Sequence, residues 1–221
     1  MNNIAFIDLE IDGRGKIVDA GAVKAGKSIH TSRIAEFVAF ISDADYLCGH
    51  NIIEHDYKYL KSFLPKDYAL IDTLYLSPLL FPRKPYHRLL KDDKLLSDEL
   101  NNPLNDALKA KELFEDEVNA FNNIDKRMQQ IYYELTASDI HFKGFFDQVG
   151  YSPDWRPFFL KKSTADSVKE VLAGKICANA DVNAAVKNSK IETAYSIALI
   201  STDDRNSITA PWVLKNYPDT E

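Results

Sequence analysis

Cysteine is scarce in this chain. Cys48 and Cys177 are the two cysteines in 221 residues, far apart and without CxxC spacing, which excludes a disulfide framework and a zinc knuckle and fits a reducing cytoplasm. Glycine and proline are few, eight and nine, so collagen-like, linker-like and low-complexity chains are excluded. No stretch approaches the ~18 apolar residues of a membrane span. The opening MNNIAFIDLE has no basic segment ahead of its apolar one, so neither an anchor nor a targeting segment is expected. Basic charge is also short, 27 Lys and Arg against 33 Asp and Glu for a formal charge of -6. A protein that coats nucleic acid by bulk electrostatics has the opposite balance.

What remains is a composition 45% hydrophobic and 27% charged, enough for one generous domain or a compact one with an appendage. The acid is unevenly spread: 20 of the 33 carboxylates precede residue 121, against 15 of the 27 basic side chains. Acids gathered at one place can bind cations that bridge to phosphates, so their positions decide more than their number.

Hydrophobic periodicity predicts strands over Ile4 to Leu9 and Lys16 to Lys24, joined by a turn from Asp12 to Gly15, and a third strand over Ser28 to Thr31. Ile34, Phe37, Val38 and Ile41 then recur on one helical face, with Ser32 expected to cap it. Tyr46 to Gly49 reads as a strand, Ile53 to Phe63 as a helix stopped by Pro65, and Tyr68 to Ile71 as a strand running into Asp72. Leu74 to Leu80 and Leu104 to about Ala120 read as helices, separated by the proline-broken loop FPRKPY. From residue 121 to 221 short helical segments alternate with polar turns; within them Phe142, Phe145, Phe146, Tyr151 and Trp155 form an aromatic cluster that reads as core.

Three features carry chemistry. Asp8 and Glu10 lie two apart at the end of an apolar strand, so both carboxylates face one side, a costly arrangement unless a cation lies between them. His50 and Asn51 follow Gly49, with Asp56 shortly after. Asp106 opens a helix, where the dipole favours an acid. Taken singly, each also fits a solvated strand end, a turn or a helix-surface charge.

In their order, FIDLE with IVDAGAVK, GHNIIEHDYKYL, and IDTLYL with NDALKAKELF make the chain resemble the DEDD, or DnaQ-like, 3′–5′ exonuclease superfamily over about residues 3 to 118. The resemblance implies an RNase H-like α/β domain over residues 1–120, a mixed sheet flanked by helices, with residues 121–221 as a mainly helical extension. It implies Asp8, Glu10, Asp56 and Asp106 as ligands of two Mg2+ or Mn2+ ions, Asp8 bridging both, and a substrate that is a nucleic-acid 3′ end, single-stranded. Leu9 and Ile11 are expected against the terminal base, and His50 and Asn51 near the strand. The whole is similar to an exonuclease-like module at the start of bacterial RecQ-type helicases, which implies a helicase domain downstream.

Where the family carries a general-base His or Tyr ahead of its last acid, this sequence has Asn101 and Asn102, and neither accepts a proton. Three readings stay open. His87 or His55 supplies the base; the metals activate water with little help; or the domain binds nucleic acid or a helicase partner without cutting. Arg83, Lys84, His87, Arg88, Lys91 and Lys94 form the densest basic stretch. With Phe81 and Tyr86 interleaved, it is expected either to steer a strand or to be a solvated loop.

Overall fold

The computed structural model describes residues 3–89, 102–153 and 162–202. They fall into two compact units. One is drawn from Met1–Leu76, Arg88–Asn119 and Asp139–Tyr151, the other from Ser77–His87, Ala120–Ser138 and Ser152–Glu221. The molecule is α/β, with a five-stranded mixed sheet flanked by helices and a helical C-terminal part.

In the first unit, β1 (Ile4–Ile11) and β2 (Ile17–Lys24) form the expected antiparallel hairpin, and β3 (Lys27–Thr31) extends it. The Asp12 carboxylate makes the turn by accepting from the Arg14 and Lys16 amides at 2.8 and 2.9 Å. Helix α1 (Ile34–Ile41) follows, then β4 (Tyr46–Gly49), α2 (Asp56–Leu60) and β5 (Ala69–Asp72). Strand order is β3-β2-β1-β4-β5, with β4 parallel to both β1 and β5.

Strand parity sorts the two faces. Ala5, Ile7 and Leu9 point to the side of α1, where they meet Ala20, Ala22, Leu47, Phe37 and Ile41 in the main core. Phe37 and Ile41 are fully buried, and each such side chain contributes about 1.5–3 kcal/mol. Phe6 points the other way, to α4 (Pro103–Asn123) and α6 (Ile140–Val149). Its ring lies 5.7 Å from that of Phe114, which in turn meets Phe145 at 6.3 Å. Phe142, Phe145 and Phe146 are thus core, as their spacing predicted, and Tyr151 packs on Phe146 at 6.2 Å. Trp155 lies outside the described residues.

Two boundaries differ from the sequence reading. Ser32 does not cap α1: Arg33 occupies the N-cap without a side-chain bond, and the Arg33 amide donates to Thr31 Oγ1. Helix α2 begins at Asp56 and not near Ile53: its N-cap His55 has φ -122° and ψ -85°, outside the helical region, and the segment before it is a turn held by bonds from the Asn51 and Ile53 amides to Asp72.

In the second unit, α5 (Lys126–Thr136), α7 (Thr164–Val171), α8 (Val182–Asn188) and α9 (Lys190–Ser201) pack with α5 against α7 and α9. Asp125, Ser163 and Asp181 cap the first three through side-chain oxygens, each cap being worth about 1 kcal/mol. Helix α3 (Thr73–Leu80) leaves the first unit at Leu76. Among the described residues no helix is long and apolar enough to cross a membrane.

Candidate active site

Asp8 and Glu10 stand on β1 on the face opposite the main core, both half-buried. Strand β4 pairs with β1 only from Ile4 to Phe6, so the last residues of β1 run past their parallel neighbour. Asp56 fills the gap. Its Oδ1 accepts from the Leu9 amide at 2.9 Å, and the residue is 1% exposed. The acid of the second motif is therefore bonded to the backbone between the two acids of the first.

Glycine brings the third element in. Gly21 pairs with Asp8 across the hairpin, and a Cβ on Gly21 would collide with the backbone of Pro103 and Leu104. The N-terminus of α4 thus sits directly on β2 beside Asp8, on the Asp8 face, and Asp106 lies in its first turn. Gly49 performs a similar task at the end of β4, where a Cβ would lie 2.9 Å from the Ile7 carbonyl oxygen and 3.1 Å from Ile52 Cβ.

Burial pushes the Asp56 carboxyl above the usual carboxylate range, against the pull of His55 and of the Leu9 amide. His55 Nδ1 lies 3.6 Å from Asp56 Oδ1. The Asp56 charge raises the imidazole from its ordinary value, and Glu10 adds to the effect. His55 and Tyr59 meet edge-on at 5.8 Å, so an aromatic pair borders this end of the sheet.

The remaining candidates are placed differently. Leu9 is a core residue, 3% exposed and on the opposite face from Asp8 and Glu10, while Ile11 is partly buried against the same core. His50 directs Nδ1 to Thr73 Oγ1 at 2.9 Å. Asn51 adopts a left-handed backbone, φ 66°, and gives its amide to Asp72. Arg83, Lys84 and Arg88 are exposed, with the Lys84 ammonium 4.1 Å above the Phe81 ring. His87 is half-buried in the second unit, its Nδ1 3.0 Å from Ser77 Oγ; burial, with Lys84 nearby, lowers it. Asn102 accepts from the Leu104 and Asn105 amides at 3.0 and 3.4 Å, which makes it the cap of α4. Asn101, Lys91 and Lys94 lie outside the described residues.

Three neighbours of the site went unread in the sequence. Asp19 stands directly opposite Glu10 in the hairpin register. Like charges so placed repel, and His30 Nε2, 2.7 Å from Asp19 Oδ2, tempers the pair. The alternation of β2 carries that signal once the hairpin register is fixed. Asp72 accepts from the Asn51, Ile53 and Leu74 amides at 2.9, 3.1 and 3.0 Å. An acid closing an apolar strand is its trace in the sequence.

Among the described residues, no three His, Cys, Asp or Glu side chains gather as ligands of one ion. By donor chemistry, Asp8, Glu10, Asp56 and Asp106 are hard oxygen ligands suited to Mg2+ or Mn2+ and not to zinc. Compared with known proteins, the chain matches no family model and no curated protein.

Proposed function

We propose that the chain is a divalent-metal-dependent 3′–5′ exonuclease that removes nucleotides from single-stranded nucleic-acid 3′ ends. The observation that carries this reading is the bond from the Leu9 amide to Asp56, which ties the second acidic motif to the strand bearing Asp8 and Glu10. In this reading the exonuclease-like domain, of RNase H-like type, is the sheet-bearing unit, which takes in Asp139–Tyr151 besides residues of 1–120, and the remaining helices of 121–221 are its extension. Two unpaired cysteines, Cys48 buried and Cys177 exposed, suit a cytoplasmic setting.

In the reaction, a water oxygen forms a bond to the terminal phosphorus and the bond from phosphorus to the 3′ oxygen breaks. A nucleoside monophosphate leaves, and a new 3′ hydroxyl remains. Asp8, Glu10, Asp56 and Asp106 hold two Mg2+ or Mn2+ ions, which when bound supply water activation and charge neutralisation at the phosphate. The core on the opposite face holds Ile7 and Leu9, which turns Asp8 and Glu10 to the other side of β1. The Leu9 amide fixes the Asp56 carboxylate, and α4, whose first turn carries Asp106, starts on Gly21 opposite Asp8. His55 Nδ1, 3.6 Å from Asp56 Oδ1, is drawn toward its protonated form by that carboxylate. Arg83, Lys84 and Arg88, all exposed, carry charge of the sign that attracts phosphates.

Asn102 favours a second reading. At a place where related enzymes carry a base, its side chain is committed to capping α4, as befits a module that binds nucleic acid or a helicase partner and cuts slowly or not at all. A 5′-labelled oligonucleotide incubated with Mg2+ or Mn2+ separates the two. The exonuclease reading expects a ladder shortening from the 3′ end in wild type and none in Asp56→Asn. Retained binding without shortening in wild type supports the module.

A further inference from the structure

Asp72 closes β5 and has no exposed surface. Burying a carboxylate is costly unless hydrogen bonds replace its water. Three backbone amides do so: Oδ1 accepts from Asn51 and Leu74, and Oδ2 from Ile53. Burial pushes this carboxyl up, opposed by those amides and by His141.

These bonds have a direction. Asn51 and Ile53 belong to the segment between β4 and α2 that leads to Asp56. The segment is stitched to itself, with the His55 amide donating to the Asn51 carbonyl and the Tyr57 amide to the Ile52 carbonyl, both at 2.9 Å. Its other end is the bond from the Leu9 amide to Asp56. Thr73 adds to the anchorage at the start, facing His50 Nδ1 at 2.9 Å and donating to the Gly49 carbonyl at 3.4 Å. A continuous hydrogen-bonded path therefore runs from the end of β5, through the segment, to the edge of β1.

We propose that Asp72 is a positioning residue for Asp56: by seating the 50–55 segment it sets the Asp56 carboxylate against β1, between Asp8 and Glu10. The functional weight of this placement rests on the exonuclease reading of Asp56, but the placement has its own readout. In Asp72→Asn one of the two oxygens becomes an amide nitrogen, which cannot accept, so at least one of the three amides loses its partner. A lost bond to a charged, buried acceptor is felt strongly.

Amide hydrogen exchange tests it. In Asp72→Asn the Asn51 and Ile53 amides are expected to exchange faster, and the Leu9 amide, more than sixty residues away in sequence, by about tenfold or more, while the Leu47 amide in the sheet interior keeps its protection. Faster exchange confined to Asn51, Ile53 and Leu74, with Leu9 unchanged, overturns the proposal and leaves Asp72 with a purely local role. Should the variant not fold, native-state exchange of the wild type in low denaturant decides. Leu9, Asn51 and Ile53 are expected to open in one step, and separate opening of Leu9 overturns the proposal. Oligonucleotide cleavage decides the exonuclease reading separately, so the two failures are distinct.

Discussion

At the residue scale, acids of one type divide by environment. Asp12, half-buried, and Glu36 and Asp43, exposed, are lowered by hydrogen bonds, Asp12 by the Lys16 and Arg14 amides, Glu36 by Arg33 and Asp43 by Lys24. Asp56 and Asp72 are buried and raised. Spacing made Asp8, Glu10 and Asp56 legible, because the two-residue strand period and the GHN turn are local patterns. Asp72 was not legible as a functional acid, since two of its three donors, the Asn51 and Ile53 amides, come from about twenty positions earlier and only Leu74 is local. His87 offers a test of sign. Burial lowers it from an ordinary value near 6.5, so the folded chain binds fewer protons than the unfolded one. The stability this group contributes is present above 6.5 and lost as pH falls through the lowered folded value. Between pH 7 and pH 5 the urea midpoint of wild type should therefore fall further than that of His87→Gln. Equal slopes in the two proteins would show that the ring is not desolvated.

At the element scale, the strand periods and the long helices follow from the sequence, while the close approaches between elements do not. Gly21 reads as an ordinary small residue in a strand. Its role appears only when α4 is laid over it, with its Cα against the Pro103 and Leu104 backbone. Gly21→Ala should displace the start of α4 and cost about 1–3 kcal/mol, measured as a lower midpoint in urea with an unchanged slope. A midpoint equal to wild type would mean that α4 does not depend on this contact. Residues 53–55 read as the beginning of a helix, but His55 has a non-helical backbone and the turn before it is held by Asp72 through the Asn51 and Ile53 amides. Asn102 is the converse case, a residue noted as a missing base that serves as a helix cap.

At the scale of the molecule, part of the acid behind the charge of -6 stands at one end of one sheet, with Asp56 tethered to the Leu9 amide between Asp8 and Glu10; on the proposed exonuclease reading, bound cations would offset that charge. The sheet can hold them there because its opposite face is a dry core. Phe37→Ala, at a fully buried position of that core, should cost about 3–5 kcal/mol in chemical unfolding, and a loss below 1 kcal/mol would contradict the packing described. The helical second half was legible as short helical segments between polar turns, whereas the packing of α6 on the sheet, with Phe145 against Phe114, depends on contacts distant in sequence. If Asp8 and its neighbours cut phosphodiesters, as proposed, mononucleotides are released from a 3′-labelled single strand in Mg2+ or Mn2+, and that release is the measurement that decides the exonuclease reading. Wild type should release labelled nucleoside monophosphate and Asp8→Ala should be slower by at least about 100-fold, while no release by wild type with either ion, or equal release by the two proteins, would contradict it.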